Sequence, residues 1–300
     1  MGDFSYEPDL VRALLRQQHP DLADLDLTAV EGGWGNQQFR LGDELAVRMP
    51  RTPGAPVQLR HEQRWLPELA ERLPLPIPAV VRVGEPSELF EHPWSVVRWV
   101  VGEPADREPI TDAESAEALG EFLAALHDEA PDGVWATERG APRAVSEEDF
   151  EYWLSVIAGH PCAEAAREVW QKAVAADPWR GAPQFVHGDL HPANVVVRNG
   201  KLAGVIDFGD LGAGDPAADL SAAWILPPAG SADRFFEAYG RADEADMTRA
   251  RGWAVMRALN LISIGQAGRL GRPGGKPTWE PAGYATLERV LTTWSALTLV

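Results

Sequence analysis

Three polar residues suited to chemistry, Asp189, Asn194 and Asp207, flank two short apolar runs in the second half of the chain. The runs, 195–197 and 202–206, are joined by a turn that contains Asn-Gly, a pattern typical of a β-hairpin. Because a hairpin returns the chain to the end from which it started, we expect the three side chains to meet there. One carboxylate can accept the proton of an attacking hydroxyl, while an amide oxygen and a second carboxylate can hold Mg²⁺ against phosphates. These residue types therefore predict phosphoryl transfer.

The stretch 185–219 reads FVHGDLHPANVVVRNGKLAGVIDFGDLGAGDPAAD. Asp-x4-Asn followed by Asp-Phe-Gly is the spacing of the kinase catalytic and metal loops, with HGD where protein kinases have HRD. The segments HGDLHPANVVV, VIDFGD and GDPAADL resemble the aminoglycoside phosphotransferase family, kinase-like enzymes that act on antibiotics and other small molecules. The resemblance is strong over residues 185–224, fair over 31–103 and weak elsewhere.

The resemblance implies a role for each polar residue. Asp189 is expected to be the catalytic residue, either as a general base or as the group that orients the acceptor hydroxyl. Asn194 and Asp207 are expected to bind Mg²⁺, with ATP or GTP as the co-substrate. Downstream, Asp215 precedes Pro216 and suits an N-cap, and Asp219 is predicted to brace the catalytic loop from below.

The implied fold is α+β: a bilobal, protein-kinase-like fold with a small β-rich N-terminal lobe and a larger, mainly helical C-terminal lobe. The chain is expected to divide into a nucleotide-binding lobe, 1–101, and a catalytic and substrate-binding lobe, 102–300. Short β-branched runs predict strands over 25–39, 45–50, 80–83 and 94–101. Apolar residues at helical spacing predict helices over 7–18, 57–73, 111–128, 146–157, 164–176, 233–239, 245–268 and 282–297. Thr111 with Glu114 predicts a capping box, and glycines over 265–275 predict a break.

The loop 31–37 reads EGGWGNQ and lies between two predicted strands. In a kinase-like fold, backbone amides here cover the nucleotide phosphates, and glycine permits their close approach. Gly33, Trp34 and Gly35 are therefore candidate nucleotide-binding residues. The other interpretation is an ordinary hairpin turn, which three glycines alone would favour.

Arg48 occupies the strand position at which protein kinases carry the lysine of V-A-I-K, and no lysine precedes Lys172. Arginine is always charged and grips phosphate with a planar fork, so Arg48 is a candidate phosphate ligand; the alternative is an exposed strand-edge arginine. Its helical partner is either Glu62 or Glu68, which point about 120° apart on a helix. HEQRWLPEL resembles the family's E-x2-WL-x2-L segment, so we predict Glu62.

The second lobe is expected to begin after the strand WSVVRWVVGE. Here the backbone of Arg98, Trp99 and Val100 would present an N–H and a C=O to the purine edge. The alternative is a buried strand that has no ligand.

The net charge of −18 argues against nucleic acid and against anionic membranes as partners. Residues 102–151 carry 15 acidic and 3 basic residues, so this segment holds −12 of the total. Such a region would attract a cationic acceptor; the alternative is a solvated acidic surface. No apolar run is long enough to cross a bilayer, the N-terminus MGDFSYEPDL lacks an apolar signal core, and Cys162 is the only cysteine. We therefore expect a cytoplasmic protein.

The sequence thus predicts a nucleotide-dependent O-phosphotransferase for a small molecule. The resemblance implies an aminoglycoside or another antibiotic as acceptor, and hence a role in antibiotic resistance. A metabolic kinase of the same fold, acting on a sugar, a choline-like amine or an amino alcohol, is the first alternative. The second is a non-catalytic nucleotide-binding module, which the missing strand lysine suggests.

Overall fold

The computed structural model describes residues 5–31, 33–137 and 141–298, with side chains described as far as residue 292. The chain divides into two compact units, one made of Met1–Val101 and Val205–Asp210, the other of Gly102–Gly204 and Leu211–Val300. The first is built on a β-sheet and the second mainly on helices. The predicted α+β class is confirmed. Among the described residues, no helix has the length and apolar character that a bilayer crossing requires.

Described residues of the first unit form a five-stranded antiparallel sheet in the order β1-β2-β3-β5-β4. The strands are β1 (Leu27–Val30), β2 (Asn36–Leu41), β3 (Leu45–Pro50), β4 (Val80–Gly84) and β5 (Trp94–Arg98). Two helices accompany them, α1 (Pro8–Gln18) and α2 (Ala55–Arg72). Val47 in β3 lies opposite Phe39 in β2 and Val96 in β5, which sets the register of the sheet centre.

One face of this sheet packs into an apolar core with α1. Val47 and Met49 of β3 belong to the core, together with Leu14 and Leu15 of α1. Because side chains alternate along a strand, Arg48 between them points to the opposite face. The helix α2 supplies the partner of Arg48, so the core determines where this cation is presented.

In the second unit, the helices are α3 (Ser115–Leu126), α4 (Glu147–Leu154), α5 (Ala163–Ala175), α6 (Ala217–Leu220), α7 (Ala222–Ile225), α8 (Ala232–Tyr239), α9 (Glu244–Arg269) and α10 (Trp279–Thr298). The short strands are β6 (Glu103–Pro104), β7 (Gln184–Val186), β8 (Val195–Arg198), β9 (Lys201–Val205) and β10 (Gly212–Gly214). They form two small sheets, β6-β8-β9 and β10-β7. The helix α9 packs against α5, α6 and α10.

The predicted hairpin is confirmed as β8 and β9, joined by Asn199 and Gly200. Both turn residues have a positive φ, 55° and 74°, as a two-residue hairpin turn of type I′ requires. At its far end, Val205 donates a backbone hydrogen bond to the carbonyl of Pro76 at 3.1 Å. The segment Val205–Asp210 therefore groups with the first unit, although the sequence division places it in the second.

One local prediction is wrong, and another is confirmed only in part. The backbone N–H groups of Thr111 and Asp112 donate to the carbonyl of Gly200, so this segment is held by the hairpin turn and α3 begins only at Ser115. The predicted capping box is thus absent from the described start of α3. The predicted glycine-rich break over 265–275 is confirmed only beyond Arg269, because α9 continues to that residue and non-helical chain follows over 270–278. A Cβ on Gly265 would lie 2.1 Å from the backbone nitrogen of Glu280, so this glycine permits close packing of α10.

Candidate active site

The loop between β7 and β8 carries the HGDLHPAN sequence and is shaped by its small and cyclic residues. Gly188 has a φ of 78°, in the left-handed region that glycine adopts without strain. Pro192 begins a short 3-10 helix, Pro192–Asn194, which leads directly into β8. Asp189 and Asn194 therefore lie at the two ends of one tight loop.

Asp189 and Asn194, both predicted site residues, are in direct contact. The Asn194 Nδ2 donates to the backbone oxygen of Asp189 at 2.9 Å and to its carboxylate Oδ2 at 3.2 Å. Asn194 is buried, while the Asp189 side chain is 28% exposed. Because the amide nitrogen of Asn194 donates to Asp189, its amide oxygen is the atom that could bind a cation.

Arg257 of α9 is a site residue that motif reasoning missed. Its Nη1 donates to Asp189 Oδ1 at 2.7 Å, and its Nη2 donates to the Gly188 carbonyl at 2.6 Å. It lies 68 residues from Asp189 in sequence. The sequence does carry a sign of this contact, because Arg257 is the one charged residue in the apolar stretch AVMRALNLI. A charged side chain on a buried helix face requires a polar partner.

His191 approaches Asp189 from another direction. Its Nδ1 accepts the backbone N–H of Ala193, so its Nε2 carries the hydrogen that faces Asp189 Oδ2 at 3.4 Å. The imidazole contacts the ring of Trp279, and the Trp279 Nε1 donates to Asp106 Oδ2 at 3.0 Å. The start of α10 therefore holds the histidine next to the carboxylate.

Asp219 braces the loop from α6, as the sequence predicts. Its Oδ2 accepts the backbone N–H of His187 at 2.6 Å and its Oδ1 accepts that of Gly188 at 2.9 Å. His127, fully buried at the end of α3, lies with Nε2 3.2 Å from Asp219 Oδ2, and its Nδ1 contacts the Tyr239 hydroxyl. Burial opposes ionisation of Asp219, but the hydrogen bonds from His127 and the loop lower its pKa. The brace is thus an ionised carboxylate.

Asp215 makes the predicted capping contact. Its Oδ1 accepts the backbone N–H of Ala217 at 2.9 Å, in the first turn of α6. Arg249 of α9 donates to the Asp215 Oδ2 at 2.8 Å and to Asp246 at 2.5 Å. Burial raises the pKa of Asp215, although the hydrogen bonds from Arg249 and Ala217 act in the opposite direction. This buried network positions α6 and with it Asp219.

In the first unit, Arg48 and Glu62 form a buried ion pair. Arg48 Nη1 donates to Glu62 Oε2 at 2.5 Å, and the two side chains are 4% and 2% exposed. The exposed Glu68 points elsewhere, so Glu62 is the partner and the strand-edge alternative for Arg48 is wrong. Burial raises the pKa of Glu62 and Arg48 lowers it. The Arg48 Nε and the Glu62 Oε1 are buried with no hydrogen-bond partner among the described residues.

Asp207 lies beside this pair in an unusual backbone conformation. Its φ is 63°, and only Asn199 shares a positive φ among the described non-glycine residues. Its Oδ1 is 3.6 Å from Arg48 Nη2, and its side chain is 53% exposed. Phe208 is fully buried and anchors the loop. Strained backbone that presents an exposed carboxylate is typical of a functional position.

Asn194 and Asp207 suit a hard divalent cation chemically. Amide and carboxylate oxygens are the ligands that Mg²⁺ prefers, and Mg²⁺ takes few of them from the protein because it keeps waters and phosphates. No cluster of three or more His, Cys, Asp or Glu side chains able to hold a metal occurs in the described part of the chain. Asn194 and Asp207 belong to different units, and their meeting with Asp189 stays a prediction.

The glycine loop joins β1 to β2, a geometry common to both interpretations of its sequence. Gly33 has a φ of 75°, and a Cβ there would lie 2.3 Å from the carbonyl oxygen of Asn36, so this position requires glycine. Trp34 is 57% exposed, and the carbonyl of Gly35 accepts the backbone N–H of Arg51 at 2.9 Å. Gly32 lies outside the described residues. The nucleotide role of the loop stays a prediction.

The predicted purine-binding residues end β5. The backbone N–H of Arg98 donates to Ala79 and that of Trp99 donates to Glu44, both at 2.8 Å. Val100 is buried. Two of the three N–H groups already have backbone acceptors. The Val100 N–H is therefore the predicted donor to the purine edge, and the C=O contact stays a prediction.

Comparison with known proteins places this geometry in context. A model of the phosphotransferase enzyme family matches residues 26–259. A curated relative, the uncharacterized protein YcbJ of Bacillus subtilis strain 168, is 28% identical over 159 residues, which cover 51% of this chain and 49% of YcbJ. The match therefore spans about half the length of that relative.

Solved structures share the fold. The GDP complex of wild-type aminoglycoside 2'-phosphotransferase-IIIa is 20% identical, with a TM-score of 0.65 over 96% of this chain and 99% of that one. Its counterpart with GDP and kanamycin is 19% identical, with a TM-score of 0.64 over 94% and 98%. The macrolide 2'-phosphotransferase MphH of Brachybacterium faecium, an apoenzyme, is 24% identical, with a TM-score of 0.61 over 91% and 97%. The predicted kinase-like fold is confirmed.

Proposed function

This chain belongs to the phosphotransferase enzyme family, and we propose that it transfers the γ-phosphate of ATP or GTP to a hydroxyl of a small molecule. An aminoglycoside or another antibiotic is the proposed acceptor class. The proposal includes the division of labour between a nucleotide-binding lobe, 1–101, and a catalytic lobe, 102–300.

One observation carries the proposal: Asp189 is an ordered carboxylate that still reaches solvent. Asn194 and Arg257 donate to its two oxygens, yet its side chain is 28% exposed. A carboxylate held in this way can accept a hydrogen bond from an incoming hydroxyl and orient its oxygen for attack. Asp189 is therefore the proposed catalytic residue.

We assign the proposed nucleotide-binding residues to the first unit. Arg48 is charged, fixed by Glu62, and has a buried Nε–H without a partner among the described residues, as a phosphate ligand would. The backbone of 33–35 would cover the phosphates, and the N–H of Val100 would contact the purine. Asp207 would change its partner from Arg48 to the cation when the nucleotide binds.

Asn194 and Asp207 are the residues that would hold Mg²⁺. The cation, when bound, neutralises charge on the phosphates and helps to align them. The convergence of these two oxygens with the Asp189 carboxylate is part of the proposal.

The acceptor class rests on charge and on the related structures. Residues 102–151 hold most of the net negative charge, which suits a cationic molecule. The related phosphotransferases named above bind kanamycin in one case and are named for macrolides in another. We propose that the second unit supplies the residues that contact the acceptor.

A coupled assay of nucleoside diphosphate release tests the proposal. The acceptors are kanamycin, a macrolide, a sugar and a choline-like amino alcohol, each with MgATP or MgGTP. Asp189→Ala is expected to lower turnover by roughly 10²–10⁴-fold while nucleotide binding, measured by equilibrium dialysis, is kept. The exposed Asp233→Ala in the same unit is the control and should behave as wild type.

Near-normal turnover in Asp189→Ala would remove this residue from the mechanism. Turnover of the sugar or the amino alcohol, with none of the antibiotics, would replace the acceptor class by a metabolic one. Nucleotide binding without turnover of any acceptor would favour the non-catalytic module.

A further inference from the structure

Arg257 bonds to two successive residues of the catalytic loop. Its Nη1 donates to the Asp189 carboxylate at 2.7 Å and its Nη2 donates to the Gly188 carbonyl at 2.6 Å. Both lengths are typical of strong charge-assisted hydrogen bonds. One planar guanidinium therefore contacts the side chain of Asp189 and the peptide group that precedes it.

The backbone of Gly188 is held at both of its polar groups. Its N–H donates to Asp219 Oδ1 at 2.9 Å, and its C=O accepts from Arg257. Its φ of 78° lies in the left-handed region, and the two hydrogen bonds fix the peptide groups on either side of its Cα. The Cα position of Asp189 is thus set by two helices, α6 and α9.

The carboxylate of Asp189 is also held at both oxygens. Oδ1 accepts from Arg257, while Oδ2 accepts from Asn194 at 3.2 Å and lies 3.4 Å from His191 Nε2. Rotation about the Cβ–Cγ bond would break these contacts together. Of the three donors, Arg257 is permanently charged and is the one that lies outside the loop itself.

We propose that Arg257 is a positioning residue for phosphoryl transfer, one that holds Asp189 in the orientation that receives the acceptor hydroxyl. This rests on the proposed function, in which Asp189 performs that role. The two side chains are 17% and 28% exposed, so water screens the ion pair and its contribution to folding is small. Catalysis is far more sensitive, because a misplaced group of about 1 Å can reduce the rate by two orders of magnitude.

Steady-state kinetics of Arg257→Gln and Arg257→Lys test the proposal. Arg257→Gln should lower kcat by roughly 10–100-fold with an unchanged KM for the nucleotide. Arg257→Lys should be intermediate, because an ammonium can reach one acceptor but lacks the planar fork that reaches both. Millimolar guanidinium should restore part of the turnover of Arg257→Ala. Arg269→Gln is the matched control, since it lies on the same helix in an exposed ion pair with Glu280.

Wild-type kcat in a folded Arg257→Gln would overturn the proposal. So would a loss of kcat that only follows a loss of folded protein and does not respond to guanidinium. The double variant Arg257→Gln with Asp189→Asn should turn over no more slowly than Asp189→Asn alone, whereas a further multiplicative loss would contradict a shared role.

The melting temperatures of the same variants separate this inference from the proposed function. If wild type phosphorylates no acceptor, the proposed function fails, but the pair can still be measured. Non-additive shifts for the two single variants and the double variant would support the clamp on Asp189. Additive shifts would overturn it, whatever the acceptor is.

Discussion

Two arginine–carboxylate pairs, one in each unit, have similar hydrogen-bond lengths and very different surroundings. Arg48 and Glu62 are joined at 2.5 Å with side chains 4% and 2% exposed. Arg257 and Asp189 are joined at 2.7 Å with side chains 17% and 28% exposed. Because solvent screens the second pair and not the first, losing one partner should destabilise the first pair far more than the second.

The buried Arg48–Glu62 pair also leaves two of its polar atoms without hydrogen bonds among the described residues. The Arg48 Nε and the Glu62 Oε1 have no hydrogen-bond partner among the described residues. Both terminal nitrogens of Arg257, by contrast, donate hydrogen bonds to acceptors of the catalytic loop. A buried donor without a partner destabilises a protein by about 1–3 kcal/mol. A pair that is satisfied without ligand, as at Arg257, is suited to positioning.

Glu62→Ala is expected to have the largest effect on stability. It leaves the buried Arg48 guanidinium with only the longer ion pair to the exposed Asp207, which lowers the free energy of unfolding by about 3–5 kcal/mol. Denaturant unfolding followed by tryptophan fluorescence measures it. The exposed Glu68→Ala on the same helix should stay within about 0.5 kcal/mol of wild type. Equal behaviour of the two variants would remove the distinction between the pairs.

Arg48→Lys is expected to have an intermediate effect. Lysine keeps the charge but cannot contact Glu62 and Asp207 together as the guanidinium does. Losing the charge-assisted hydrogen bond to Glu62 should lower the free energy of unfolding by about 1.5–3 kcal/mol, and losing the ion pair with Asp207 less; either loss should weaken nucleotide binding. Unfolding and equilibrium dialysis report the two effects separately. An Arg48→Lys protein as stable as wild type would mean that the arginine fork is dispensable.

Asp189→Asn is expected to have the smallest effect on stability. The partly exposed pair with Arg257 contributes about 1 kcal/mol or less, so unfolding should change by no more than that. Turnover should fall steeply in the same variant, because the amide cannot accept a proton. A stability loss as large as that of Glu62→Ala would show that both pairs serve the fold.

Local patterns were sufficient for much of the site. The hairpin β8–β9 follows from two β-branched runs around Asn199-Gly200, where both residues adopt positive φ. The contact of Asp189 with Asn194 follows from five residues of tight loop. Helix geometry showed that only one of Glu62 and Glu68 can face Arg48, and the resemblance of HEQRWLPEL to the family segment selected Glu62. In each case the partners are near in sequence, or the geometry of one element relates them.

Contacts between elements that are distant in sequence could not be predicted from the sequence. Arg257 reaches Asp189 across 68 residues, and its place depends on how α9 packs against its neighbours. The start of α3 moved from Thr111 to Ser115 because the turn at Gly200 accepts two backbone N–H groups. Gly265 is a packing contact with α10 and does not break α9.

The sequence by itself determined the chemical groups and their local spacing: a carboxylate, an amide and a second carboxylate around a hairpin, since short-range sterics and hydrogen bonding decide such turns. Only the tertiary structure decided that Arg48 and Glu62 are buried and that Arg257 contacts the catalytic loop. The physical reason is that the burial and partners of a charge depend on side chains brought together by packing, and a motif of ten residues does not encode them.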